Sequence, residues 1–102
     1  MSKYRNIKTT IDNITFDSKA EARRYQDLKL LFRGNEISDL ELQPKFNLTA
    51  HGKAICRYVA DFRYKENGNT VVEDVKGIQT PVFKLKRKLF KAQYGFDILI
   101  TK

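Results

Sequence analysis

The segment YVADFRYKENGNTVVEDVKG, residues 58–77, constrains the fold more than any other part of the chain. Two β-prone runs flank Glu66-Asn67-Gly68-Asn69. An Asn-Gly centre between such runs is a strong hairpin signal, because both turn residues must take positive φ. In the first run Tyr58, Ala60, Phe62 and Tyr64 alternate with Val59, Asp61 and Arg63. In the second, Val71, Glu73 and Val75 alternate with Val72, Asp74 and Lys76. Strand side chains have period two, so Asp74 and Lys76 share a face with Cα atoms about 6.6 Å apart. An antiparallel pair of this length sets Asp61 beside Asp74. Two carboxylates about 4 Å apart repel by about 4 kcal/mol at an effective dielectric of 20. A positive group between them relieves that repulsion, and a divalent metal with a lysine alongside is the simplest candidate. On an open sheet face these residues would merely be solvated. The flanking valines and aromatics instead make both strands interior, where unpaired acids are costly.

Length and charge narrow the function classes. With 102 residues and 41% hydrophobic content, one domain over residues 1–102 with a small core is expected. The net charge of +8, from 20 Lys+Arg against 12 Asp+Glu, favours a polyanionic partner through phosphate contacts. No apolar run approaches the length of a membrane span and no signal peptide is expected, so no membrane partner is expected. The single Cys56 excludes an internal disulfide and a multi-cysteine zinc site, and it reads as a buried strand residue. The lone His51 lies in the turn Ala50-His51-Gly52-Lys53, which leaves no Ser-His-Asp machinery. No Walker loop and no GxGxxG occurs.

In chain order, residues 1–6 read as a loose basic arm, and two short β-prone runs around Asp12-Asn13 predict a hairpin over 7–16. Ser18 is a helix cap, with Glu21 three residues on as a capping-box partner, and the helix runs to about Arg33 with Gly34 as its stop. Glu21, Tyr25, Leu28 and Phe32 fall on one helical face, which places Glu21 at the entry end of the stripe packed on the sheet. Leu40–Leu48 reads as a strand interrupted by Pro44, with Gln43 able to line a site or to face water. Strands over 54–64 and 70–76 follow. Thr80 caps a second helix, Pro81 suits its first position and Gly95 ends it. Its predicted apolar stripe is Val82, Leu85, Leu89 and Ala92, flanked by Phe83 and Phe90. Lys84, Lys86, Arg87, Lys88 and Lys91 surround that stripe and predict a phosphate-binding surface. Residues 96–100 close the chain as a strand.

The predicted fold is α+β, with a mixed sheet flanked by helices. Without the first hairpin its order is αβββαβ, with an acid on the first helix, Asp on the second strand and Asp-x-Lys on the third. This resembles the PD-(D/E)XK, or restriction-endonuclease-like, nuclease superfamily, which includes phage and archaeal Holliday junction resolvases. The segments FDSKAEARRYQDL, LQPKF, YVADFRY, VVEDVKG and FKLKRKLF resemble a family of small phage and prophage proteins assigned to it. Ala60 stands where the superfamily motif often has proline.

The resemblance implies a restriction-endonuclease-like fold and a phage-type endonuclease that hydrolyses DNA phosphodiesters with Mg²⁺ or Mn²⁺. Asp61 and Asp74 would be metal ligands together with the Val75 carbonyl, and Glu21 would complete the shell directly or through water. Lys76 would position the attacking water and stabilise charge on the phosphate. Hard cations of this kind prefer carboxylate, carbonyl and water oxygens. Branched DNA is the expected substrate, a homodimer would make its two cuts, and the cytoplasm of a bacterial host is the implied location. Two other classes compete: a non-catalytic nucleic-acid-binding module, in which Asp61, Asp74 and Lys76 do not converge, and a phage protein using the fold as a scaffold for a host factor, with intact geometry but no metal-dependent cleavage.

Overall fold

Left-handed backbone at Asp12 and Asn13, at His51 and Gly52, and at Asn67 and Gly68 closes tight hairpins at the places where the sequence puts turn residues. The computed structural model describes residues 7–102, so the arm expected over residues 1–6 lies outside the described residues. The elements are β1 (Thr9–Ile11), β2 (Ile14–Phe16), α1 (Lys19–Arg33), β3 (Ser38–Leu42) and β4 (Lys45–Ala50). They continue with β5 (Lys53–Val59), β6 (Phe62–Glu66), β7 (Asn69–Val75), α2 (Pro81–Tyr94) and β8 (Leu99–Thr101), an α+β architecture. The main sheet has the order β3-β6-β7-β8, antiparallel except for the β7–β8 pair. A parallel neighbour needs a long crossover, and α2 supplies it.

The strands expected over 40–48 and 54–64 are each split. Pro44 has no N–H for the ladder and Gln43 takes positive φ, so the long hairpin creases there. Backbone bonds from Gln43 N–H to the Asp61 carbonyl (2.9 Å) and from Ala60 N–H to the Pro44 carbonyl (3.1 Å) carry the pairing across the crease. Beyond it, β4 and β5 form their own ribbon. The last strand starts later than residue 96, because the Asp97 carboxylate accepts the Ile98 N–H and so competes with a ladder at that point.

Two clusters cover the main sheet. Phe16, Ala22, Tyr25, Leu28, Ile37, Phe62 and Tyr64 pack beneath α1 and the first hairpin. Phe46, Leu48, Tyr58, Ala60, Val72, Phe83, Phe90 and Ile98 pack beneath α2 and the β4–β5 ribbon. Cys56, expected buried, is only partly so and lies against the second cluster.

Each helix departs from its expected stripe. On α1 the buried face is Glu21, Ala22, Tyr25 and Leu28. Phe32 is instead 48% exposed and lines an open hollow with Leu40 and Leu42, while Leu31 packs inward. On α2 the inward residues are Phe83 and Phe90, and Val82 and Leu85 are 64% and 59% exposed. Aromatic rings bury more apolar area than valine or leucine, and Phe83 and Phe90, seven residues apart, occupy one face. The expected stripe therefore faces out, with only Leu89 partly covered.

Candidate active site

The crease and the first turn of α1 meet at the end of β7. Ser18 Oγ accepts the Glu21 N–H at 3.1 Å, which caps α1, but the Glu21 carboxyl turns to Asp61 and not back to Ser18. Half of the capping box is formed and the other half is diverted. Asp61 sits on the crease, where its Oδ2 accepts the Val75 N–H at 2.7 Å. Asp74 on β7 is buried, and its Oδ2 accepts the Tyr58 hydroxyl at 2.5 Å. Lys76 Nζ lies 3.6 Å from Asp74 Oδ1 and 4.5 Å above the Phe83 ring, so its position is fixed by both. These side chains open on a cleft of about 670 Å³, lined also by Asp17, Ser18, Gly77, Thr80 and Lys102.

Burial and neighbouring acids shift Asp61 and Glu21. Burial pushes the Asp61 carboxyl up to about 9. The hydrogen bond and the charge of Asp74 add to this, Glu21 adds less, and the Val75 N–H opposes it. Burial also pushes Glu21 up, with the charges of Asp17 and Asp74 adding, while the Asp61 hydrogen bond and Lys76 oppose. Tyr58 is pushed up by burial and then by its bond to Asp74, so it stays a hydroxyl donor.

The donor set fits a hard divalent cation in kind. Val75 takes one oxygen of Asp61 and Tyr58 one of Asp74, and the second oxygen of Asp74 faces Lys76 at 3.6 Å. No three His, Cys, Asp or Glu side chains are grouped at cation-ligand spacing among the described residues. Mg²⁺ is commonly held by one or two carboxylates with waters and substrate phosphate completing the shell, which is what this pair offers. Asp61 and Asp74 would hold it directly, and Glu21 through water.

A prediction follows from the proton that Asp61 retains. Its folded value lies above the ordinary aspartate value, so between about pH 4 and pH 9 the folded chain binds a proton that the unfolded chain releases. Without metal, stability therefore falls as pH rises through that window. Mn²⁺ displaces the proton, so its affinity rises with pH, by up to about tenfold per unit for one proton released. Calorimetric titration at pH 6 and pH 8 in buffers of different ionisation enthalpy checks this; pH-independent affinity without proton release contradicts it.

Other expected site residues lie apart. Gln43 is exposed and does not line the cleft, and only its backbone reaches Asp61. Arg87 is held by Asp97 in two hydrogen bonds and by Gln79, and Lys86 donates to the Arg57 carbonyl. Both are occupied by the fold. Lys84, Lys88 and Lys91 are exposed and have no ion pair among the described residues.

The sequence reading missed Tyr58 and Lys102. A tyrosine on an interior strand needs a partner for its hydroxyl, and that was the available signal for Tyr58. Glu73, on the opposite face of β7 from Asp74, is fully buried and bound to Arg24.

No helix among the described residues is long and apolar enough to cross a membrane. No curated protein matches the chain. Over residues 1–100 it matches the family model described as "Protein of unknown function (DUF1064)", and the chain belongs to that family.

Proposed function

We propose that the chain is a Mg²⁺- or Mn²⁺-dependent DNA endonuclease of the PD-(D/E)XK type, acting on branched DNA in the cytoplasm of a bacterial host. The observation that carries this reading is the convergence of Glu21, Asp61, Asp74 and Lys76 on one cleft. A bound Mg²⁺ or Mn²⁺ supplies positive charge against the phosphoryl oxygen and makes water more acidic. Asp61 and Asp74, with the Val75 carbonyl, would hold the cation. Lys76, anchored between Asp74 and Phe83, orients the attacking water and faces the charge growing on the phosphate. Water adds to phosphorus, the bond to the leaving oxygen breaks, and that oxygen takes a proton. A junction needs two cuts, which a homodimer provides.

The test is cleavage of labelled duplex, single-stranded, flap and four-way-junction DNA with Mg²⁺, Mn²⁺ or EDTA. Metal-dependent cutting, strongest on the junction, is expected. Binding without cutting under all of these conditions overturns the nuclease reading in favour of a non-catalytic nucleic-acid-binding module.

The cations left free on α2 set a second expectation. If Lys84, Lys88 and Lys91 each meet one phosphate, the slope of log affinity against log salt is about −2.7. Replacing all three with alanine should flatten it to near zero. An unchanged slope moves the DNA path off this helix.

A further inference from the structure

Glu73 is the most completely satisfied acid in the fold, and nothing in the proposed chemistry uses it. It has no solvent exposure, although it is charged and lies on the central strand. Arg24 of α1 grips it with two hydrogen bonds, Nε to Oε2 at 2.6 Å and Nη2 to Oε1 at 3.0 Å. The Tyr64 hydroxyl donates to Oε1 at 2.6 Å from β6, and Thr101 Oγ1 donates to Oε2 at 3.0 Å from β8. These donors fill the lone pairs of the carboxylate and tie α1, β6, β7 and β8 to one point.

A buried ion pair is seldom the most stable solution, since well-packed apolar residues often do as well or better. What it adds is direction. The other contacts of α1 with the sheet, through Ala22, Tyr25 and Leu28, are apolar and permit sliding, whereas a two-pronged guanidinium–carboxylate pair does not. Arg24 lies three residues after Glu21, one turn along the same side of α1. Glu73 precedes Asp74 on β7 and faces the opposite way. The same two elements therefore meet at two points one turn apart. At one, opposite charges attract; at the other, Glu21 meets two further acids, Asp61 and Asp74, and gains no such attraction.

We infer that the Arg24–Glu73 pair is a positioning device, which holds α1 in the register that keeps Glu21 at the cation site beside Asp61 and Asp74. This rests on the metal reading above. It makes Arg24 a residue that sets metal affinity without touching metal or DNA.

The experiment is a double-substitution cycle on Mn²⁺ binding, read by calorimetry. Arg24→Lys keeps the charge opposite Glu73 but loses the fork, so the fold should hold, as melting will show. Its Mn²⁺ affinity should fall about tenfold, the lower end of the usual effect of a partner outside the ligand set. Glu21→Gln should weaken Mn²⁺ binding in the wild-type background and have little further effect in Arg24→Lys, because Glu21 is already out of place there. A second variant, Arg24→Met with Glu73→Met and Tyr64→Phe, removes the network without orphaning a buried charge. It should melt near the wild-type temperature and show the same loss of affinity and of the Glu21 effect. If Glu21→Gln costs the same in all three backgrounds, the pair is structural only and the inference falls. If the wild-type chain binds no Mn²⁺ at all, the metal reading fails first and takes the inference with it.

Discussion

On the proposed nuclease reading, Asp74→Asn should abolish cleavage while leaving the fold and DNA binding in place. Asparagine keeps the shape and an oxygen for the Tyr58 hydroxyl, so the buried hydrogen bond survives. It removes the negative charge that holds the cation against the phosphate. Charge stabilisation of that kind is worth several kcal/mol, which at 1.36 kcal/mol per decade is roughly three orders of magnitude in rate. Stability moves the other way. Asp74 is the second-largest influence on Asp61, after burial, so neutralising it makes Asp61 easier to ionise in the metal-free chain. The Lys76–Asp74 pair that is lost is 3.6 Å long and its lysine is partly exposed, so its loss costs little. The metal-free variant should therefore melt at or above the wild-type temperature, and DNA should bind at least as well with one carboxylate fewer opposing it. Single-turnover cleavage with Mg²⁺ or Mn²⁺ and melting in EDTA form the paired measurement. A variant that melts far earlier, or one that still cuts at the wild-type rate, defeats the assignment of Asp74.

Phe90→Ala should cost about 3–5 kcal/mol of stability, a large share of what a domain of this size has. Phe90 is fully buried and its ring meets those of Phe46, Tyr58, Tyr94 and Phe96 at centroid distances of 4.7–6.0 Å. No other ring in the second cluster touches as many. Its removal opens a cavity beneath α2 that the ribbon of β4 and β5 cannot close without shifting. Tyr58 stands on the wall of that cavity and carries the hydroxyl that orients Asp74. The effect therefore reaches the site, and Mn²⁺ affinity should fall along with the melting temperature. Thermal melting should show a drop of more than about 10 °C. A drop of only a few degrees would mean that the cluster collapses around the gap.

Local chemistry accounts for most of what the sequence announced correctly. Asn67-Gly68, Asp12-Asn13 and His51-Gly52 tolerate positive φ, and each closes a hairpin. Ser18, Thr80 and Gly95 take their capping roles through bonds to residues three or four away. Once the Asn67-Gly68 turn sets the register, Phe62 pairs with Glu73, and Asp61 must fall beside Asp74. The pairing of the two acids is thus a consequence of turn geometry and period two, and it needs no knowledge of the rest of the molecule.

Long-range competition decided the rest. The α2 sequence holds two apolar stripes, Val82-Leu85-Leu89-Ala92 and Phe83-Phe90, and periodicity alone favours the first. The sheet and ribbon offer room for rings, so the aromatics turned in. The diversion of Glu21 from its cap to Asp61 depends on α1 lying across the crease, which depends in turn on Arg24 finding Glu73 forty-nine positions away. Alternation places Glu73 on the far face of β7, but only the packed sheet shows that this face is also interior. Sequence determined which residues stand next to each other along one strand or one helical turn, because φ preferences and hydrogen bonds act over a few residues. Tertiary structure decided which face of each element was inside and which acid met which base, because burial is shared among elements distant in the chain.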